Sequence, residues 1–142
     1  MAKKVERFVL DGSVALSWYF ADEANAHADA IAALFPNVEA FVPALWHLEI
    51  ANALVMGERR KRSTVAQAAK WLGHLSTLPV IVDGETTARA WADTLSLART
   101  HTLTAYDAAY LELALRLGLP LATLDRELKT ACANAGVTVF QP

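Results

Sequence analysis

The sequence predicts an α/β protein in which helices cover both faces of a parallel β-sheet. Short apolar segments alternate with helical segments along the whole chain, which is the pattern of repeated strand–helix units. The apolar segments, such as 8–10 and 80–82, do not alternate polar and apolar residues. Such continuous apolar runs are typical of strands that are buried on both faces, as the strands of parallel sheets are.

The composition of the 142-residue chain is that of one globular domain over residues 1–142. Hydrophobic residues make up 54% of the chain and charged residues 20%, which excludes an intrinsically disordered protein. No apolar run is long enough to span a membrane, and the charged residues before the first strand do not resemble a signal peptide. Because Cys132 is the only cysteine, internal disulfides are excluded and we expect a cytoplasmic protein. The net charge of −2 gives no overall attraction to nucleic acid, so such contact would need a local basic patch.

Capping residues divide the first half of the chain into strands and helices. Ser13 and Asp22 are suitable N-caps for two helices, and Pro43 suits the first turn of a third. Thr64 and Gln67 form a capping box for a fourth helix. In order, the expected elements are strand 7–10, helix 14–20, helix 23–35, strand 38–42, helix 44–60 and helix 65–76.

The second half of the chain repeats this alternation. Gly118 and Gly136 stand where glycine commonly ends a helix. One helix places Trp91 on its apolar face, and the helix after Thr104 is apolar nearly all round, which indicates a buried helix. The expected elements are strand 79–82, helix 85–100, helix 105–117, strand 119–124, helix 126–135 and strand 137–140.

Four acidic residues stand in otherwise apolar segments. Asp11 and Asp125 directly follow two of the strands, and sheets of this kind bind ligands beyond the carboxyl ends of their strands. Glu49 lies within an apolar helix. Asp107 lies in the first turn of the buried helix, three residues after Thr104.

Each of these acids also has a purely structural explanation. Asp11 could bind its own backbone in a turn, and Asp125 could cap the last helix. Thr104 and Asp107 form an approximate capping box, and Glu49 could be bonded to a backbone group or to an arginine. Four acids that converge are harder to explain in this way, because like charges repel and raise one another's pKa. A hard divalent cation removes that repulsion, and Mg²⁺ and Mn²⁺ both accept carboxylate ligands.

Such a cation also indicates the chemistry, because a carboxylate-held Mg²⁺ polarises a phosphoryl oxygen and activates water. The sequence has no Gly-x-Ser-x-Gly elbow, no glycine-rich phosphate loop and no zinc-binding spacing among its histidines. The residues therefore favour metal-dependent hydrolysis of a phosphate ester.

Four segments of the chain together resemble the PIN-domain ribonucleases, and among them the VapC-like toxins of type II toxin–antitoxin pairs. The resemblance runs from residue 8 to residue 140, and the matching segments are 9–14, 43–54, 103–114 and 121–125. It implies a three-layer α/β/α fold with a five-stranded parallel sheet in the order 3-2-1-4-5.

The resemblance also implies a site and a reaction, which is cleavage of RNA by water with the help of Mg²⁺ or Mn²⁺. The expected catalytic and metal-binding residues are Asp11, Glu49, Asp107 and Asp125. We expect Asp11 and Asp107 to bind the metal directly, and the other two to act through water or to complete a second metal site. The hydroxyls expected to support these acids are those of Ser13, Thr104 and Thr123.

The chain departs from the family's pattern at Gly12, where a residue with a side chain is more common. Asp83 also ends a strand, but the expected strand order puts that strand at the edge of the sheet. We therefore interpret Asp83 as a helix cap, and Glu112 as a solvated acid or one that faces a partner.

The partners implied by the resemblance are an RNA substrate, a cognate antitoxin protein that blocks the site, and a second copy of the chain in a homodimer. The one basic run is the natural candidate for RNA contact, although it could equally be a solvated connection between helices. Its residues are Arg59, Arg60, Lys61 and Arg62.

Two other functions stay open from the sequence. One is a metal-dependent phosphohydrolase of small phosphoesters, which is disfavoured because segment 11–13 lacks the second aspartate of a phosphoaspartate enzyme. The other is a non-catalytic binding module of the same fold, which is disfavoured because all four acids are present.

Overall fold

The computed structural model describes residues 5–142 and has a three-layer α/β/α arrangement around a parallel sheet. Residues 1–4, part of the charged stretch that argued against a signal peptide, lie outside the described residues. The strands are β1 (Glu6–Leu10), β2 (Val38–Val42), β3 (Val80–Val82) and β4 (Leu121–Ala122). Their order is β3-β2-β1-β4, and each neighbouring pair is parallel.

Helices connect these strands in the sequence expected from the capping residues. They are α1 (Gly12–Tyr19), α2 (Ala26–Ala32), α3 (Trp46–Arg59), α4 (Val65–Leu75), α5 (Thr86–Arg89), α6 (Leu95–His101), α7 (Ala105–Leu117) and α8 (Arg126–Ala135). The capping box of Thr64 and Gln67 is confirmed at the start of α4. Gly118 and Gly136 end α7 and α8 with φ of 67° and 80°, a conformation that favours glycine. No helix within residues 5–142 has the length and apolar character needed to cross a membrane.

The expectation of a fifth strand at 137–140 is wrong. The sheet has four strands over the part of the chain that the structure describes, and this segment adds one parallel bridge, between Val139 and Leu121. Both backbone hydrogen bonds of the segment to the sheet involve Leu121, at 2.9 Å each. The pairing stops there because β4 is only two residues long and Pro120, just before it, has no N–H to donate.

The second helix begins later than the capping pattern predicts. Its N-cap is Asn25, whose Oδ1 accepts a hydrogen bond from the Ala28 amide at 3.1 Å, and not Asp22. Asp22 lies in a short 3₁₀ turn and forms an ion pair of 2.7 Å with Arg62. The side chain that was expected to cap the helix is thus engaged with a distant part of the chain.

The helix expected at 85–100 is interrupted by a π segment, Ala90–Thr94, between α5 and α6. A π turn holds an extra residue, so it changes which side chains face the rest of the molecule. Trp91, expected on the apolar face, is 93% exposed, whereas Thr94 is buried. When the regular helical period of 3.6 residues is applied across this π segment, it therefore predicts the wrong buried side chains.

The prediction that strands are buried on both faces is confirmed for residues 8–10 of the central strand β1 and is wrong for the edge strand β3. Phe8, Val9 and Leu10 of β1 are completely buried. Ile81 and Val82 of β3 are exposed, because β3 is the edge of the sheet and has a neighbour on one side only.

Arg116 of α7 is the centre of a group of ion pairs that ties α7 to the end of β3. Its guanidinium contacts Asp83 at 2.7 Å, Glu112 at 2.7 Å and Glu85 at 3.2 Å. The interpretation of Asp83 as a helix cap is wrong: the N-cap of α5 is Glu85, and Asp83 accepts a hydrogen bond from the Glu85 amide just before the helix and pairs with Arg116. The interpretation of Glu112 as solvated is wrong, since it is 4% exposed and paired with Arg116.

We expect Arg116→Ala to lower the free energy of unfolding by about 3 kcal/mol, because it leaves the buried Glu112 carboxylate without a counter-charge. Urea denaturation at neutral pH measures this loss. Arg7→Ala is the matched control, since its pair with Glu39 is exposed and should be worth less than about 1 kcal/mol. Adding Glu112→Gln to Arg116→Ala should recover part of the loss; equal losses for the two arginines would contradict the prediction.

Candidate active site

The candidate site lies at the carboxyl edge of the sheet, where the strand order reverses. β2 and β3 lie on one side of β1, and β4 lies on the other, so the switch point is between β1 and β4. Leu10 pairs with Ala122, and the Asp11 amide donates to the Ala122 carbonyl at 3.0 Å. Asp11 and the segment after Ala122 therefore leave the sheet side by side.

The Asp11 carboxylate is 5% exposed and is held by two hydroxyls. Its Oδ2 accepts hydrogen bonds from Ser13 Oγ at 2.6 Å and from Thr123 Oγ1 at 2.7 Å. These hydroxyls in turn accept hydrogen bonds from the backbone amides of Leu124 and Asp125, both at 3.0 Å. The structure thus brings Ser13 and Thr123 onto Asp11, and the turn after β1 is fastened to the turn after β4.

Two further acids stand at helix N-termini. Asp125 Oδ1 accepts a hydrogen bond from the Leu128 amide at 2.9 Å and caps α8. Thr104 Oγ1 accepts a hydrogen bond from the Asp107 amide at 3.1 Å and caps α7. Asp125 and Thr104 are thus confirmed as N-caps, but the Asp107 carboxylate does not complete a capping box with Thr104. Asp107 and Asp125 are both half-buried.

Glu49 lies in the first turn of α3 and is half-buried. Its Oε1 accepts a short hydrogen bond from the hydroxyl of Tyr110, which is completely buried in α7. The sequence analysis missed Tyr110. The available signal was its position three residues after Asp107, because residues with this spacing are neighbours on one helix surface.

The pKa of Asp11 is raised, mainly because the carboxyl is buried. The bonds from Ser13 and Thr123 oppose this rise, and the charge of Asp125 adds to it. Burial also raises the pKa of Tyr110, so its hydroxyl stays protonated and available as a donor.

The other acids show the same electrostatic coupling. Burial raises the pKa of Glu49 to about 7, and the charges of Asp11 and Asp107 contribute to the rise. Burial raises the pKa of Asp107 to about 6, with contributions from Asp11 and Asp125. The four acids thus converge closely enough to repel one another, which is the condition that a bound cation would relieve.

The donor chemistry fits an oxygen-loving divalent cation and does not fit zinc. Over residues 5–142, no three acidic, histidine or cysteine side chains stand close enough together to enclose a metal ion by themselves. Mg²⁺ usually keeps several waters and uses only one or two protein carboxylates, so an open set of carboxylates suits it. The direct ligands expected from the sequence, Asp11 and Asp107, stay a prediction.

The basic run lies at the far end of α3 from Glu49. Ten residues separate Glu49 from Arg59, which is about 15 Å along a helix. Arg62 is engaged in the fold, because it pairs with Asp22 and Glu23 at 2.7 Å and lies over the ring of Phe20. RNA binding by the basic run stays a prediction, and Arg59, Arg60 and Lys61 are the residues that would make the contacts.

Residues 8–134 match the family described as PIN domain. The chain belongs to the PIN domain family, which confirms the resemblance found in its sequence. The match contains residues 8–10 of β1, the whole of β4 and all four acids of the site.

The chain is also similar to individual proteins. It is 30% identical over 122 residues to Ribonuclease VapC3 of Pyrobaculum aerophilum, covering 86% of this chain and 92% of that protein. The crystal structure of PAE2754 from Pyrobaculum aerophilum matches with a TM-score of 0.65 and 30% identity, over 89% of this chain and 86% of that chain. A toxin–antitoxin complex from Klebsiella pneumoniae matches with a TM-score of 0.61 over 94% of this chain and 96% of that chain, and at 18% identity it supports the fold alone.

We expect Asp107→Asn to stabilise the metal-free protein. The pKa of Asp107 is raised from 3.8 to about 6, so the stability that its protonated form contributes is complete below pH 3.8 and lost as the pH rises through about 6. Asparagine avoids that loss, and we expect a gain of about 1 kcal/mol at pH 8 after allowing for solvent screening of a half-exposed group.

Urea denaturation in a chelator at pH 8 and pH 4.5 measures this difference, which should shrink at the lower pH. Asp29→Asn, at an exposed position on α2, is the control and should change stability by less than about 0.5 kcal/mol at both pH values. A loss of stability in Asp107→Asn at pH 8 would contradict the electrostatic interpretation.

Proposed function

We propose that this chain is a VapC-like toxin that cleaves RNA internally, depends on Mg²⁺ or Mn²⁺, and is neutralised by a cognate antitoxin. The observation that carries the proposal is the convergence of Asp11, Glu49, Asp107 and Asp125 at the switch point of a PIN domain. The similarity to Ribonuclease VapC3 supports RNA as the substrate.

The residues of the proposed site would have different roles. Asp11 and Asp107 would hold the cation, and Glu49 and Asp125 would contact it through water or complete a second site. When bound, the cation polarises the phosphodiester and activates the attacking water. Ser13 and Thr123 keep the Asp11 carboxylate in one orientation through their hydrogen bonds.

The charge of the site makes the cation necessary for substrate binding as well. Without a cation, the acidic side chains at the site would face an RNA backbone that carries one negative charge per nucleotide, and like charges at short range repel. Once a cation is bound, its positive charge would attract the RNA backbone that the acids alone would repel. Activity and substrate affinity should both depend on the metal.

RNA cleavage by the purified, antitoxin-free protein tests the proposal. With structured RNA and Mg²⁺ or Mn²⁺ we expect discrete cuts, which a chelator abolishes and Asp107→Asn reduces about 100-fold or more. Asp29→Asn should cut as the wild type does.

Three outcomes would overturn the proposal. Cuts that survive Asp107→Asn in a nuclease-free preparation would contradict the site. Hydrolysis of a small phosphomonoester with RNA left intact would favour the phosphohydrolase alternative, and metal binding without any hydrolysis would favour a binding module.

A protein partner is supported by apolar side chains that the fold leaves exposed. Leu48 and Val55 lie one heptad apart on α3, and Val65 and Leu72 have the same spacing on α4. All four are exposed, and exposed apolar surface commonly marks protein interfaces. We infer that the antitoxin or a second copy of the chain covers these side chains.

The role of the basic run has a separate test. If Arg59, Arg60 and Lys61 contact RNA, replacing all three by alanine should raise KM several-fold and leave kcat unchanged. The slope of log KM against log salt concentration should fall by about 2, since each lost contact with single-stranded RNA removes about 0.7. Lys70→Ala, on the exposed surface of α4, is the control. An unchanged salt slope would show that the run is a solvated connection.

A further inference from the structure

We infer that Tyr110 is a positioning residue of the acidic site, which fixes one oxygen of Glu49 and leaves the other oxygen for the cation. This inference rests on the proposed function, because it takes Glu49 to act on a metal either directly or through water. It assigns to Tyr110 a role through Glu49 and no contact with RNA.

The contact between the two residues joins distant parts of the chain. Tyr110 belongs to α7 and Glu49 to α3, 61 positions earlier, and the phenol hydroxyl donates to Glu49 Oε1. Tyr110 is completely buried. A buried phenol needs a hydrogen-bond partner, and the partner of Tyr110 is the Glu49 carboxylate.

Glu49 depends on this bond for its orientation. A glutamate side chain has several rotatable bonds, and ordering it costs conformational entropy that a fixed partner must offset. Across residues 5–142, no backbone amide or other side chain donates a hydrogen bond to Glu49. Its Oε2 thus has no protein donor within the described chain and is free to accept a ligand.

Tyr110 is also placed to couple the acids to one another. It follows Asp107 by three residues on α7, so one helix supplies both an acid and the support of a second acid. Its hydroxyl lies near Gly12, where an added Cβ would meet the oxygen at 3.8 Å. A single buried hydroxyl therefore lies between the turn that carries Asp11 and the helix turn that carries Glu49.

Mn²⁺ binding by Tyr110→Phe tests the inference, with the metal itself as the probe. We expect the affinity for Mn²⁺, measured by electron paramagnetic resonance and calorimetry, to fall about 10-fold, because outer hydrogen bonds to metal ligands are commonly worth this much. In the Glu49→Gln background the same substitution should cause no further loss. If the chain cleaves RNA, kcat at saturating Mn²⁺ should fall, and KM for RNA at the same saturating Mn²⁺ should stay unchanged.

Tyr19→Phe is the matched control. The Tyr19 hydroxyl is buried and has no hydrogen-bond partner in the described structure, so its removal should leave Mn²⁺ affinity unchanged. Circular dichroism checks that the variants are folded. If Tyr110→Phe does not fold, Tyr110→4-aminophenylalanine, which keeps a donor at this place, should bind Mn²⁺ nearly as the wild type does.

Wild-type affinity for Mn²⁺ in Tyr110→Phe would overturn the inference, as would a loss of equal size with Glu49→Gln already present. Absence of Mn²⁺ binding by the wild type would overturn it too. A wild type that binds Mn²⁺, responds to Tyr110→Phe and leaves RNA intact would retain the positioning role and refute the nuclease. The experiments can therefore refute the nuclease proposal without refuting the positioning role of Tyr110.

Discussion

The organisation of the site depends on the attachment of Asp11 to the two hydroxyls of Ser13 and Thr123. This carboxylate is almost fully buried, and an ionised buried group is costly unless hydrogen bonds replace its lost hydration. The hydroxyls supply those bonds and are themselves fixed by amides of the turn after β4. The β1–β4 junction consequently fixes the Asp11 carboxylate in a buried position at the sheet edge.

Repulsion among the acids sets a second constraint. Glu49 and Asp107 stand at raised pKa values because burial and neighbouring charge both disfavour ionisation. A fold that holds them together must offset this cost elsewhere, and the buried residues of β1 and α7, 8–10 and 108–114, provide the apolar contacts that do so. Acids fixed in this way would suit the proposed cation, because its ligands would not have to rearrange on binding.

Most of the fold could be predicted because its signals are local. Capping residues and glycine stops located α4, α7 and α8, and apolar runs located the strands. The errors occurred where distant contacts decided the outcome. Asp22 pairs with Arg62 and so caps no helix, and the fifth strand is reduced to a bridge by the shortness of β4. The acids could be found from their apolar surroundings, whereas Tyr110 had only the indirect signal of its spacing from Asp107, because its partner is 61 positions away.

Asp125 caps α8 and is also a proposed acid of the site, and this combination has an evolutionary consequence. Asparagine caps a helix about as well as aspartate does, so position 125 could exchange its charge for an amide with little effect on α8. The change from aspartate to asparagine needs a single base substitution in the gene. If the chain is toxic to its host, as proposed, a single mutation would thus be enough to give a variant that folds but lacks this acid. Selection for the chemistry, and not for the fold, would then be what keeps the acid in place.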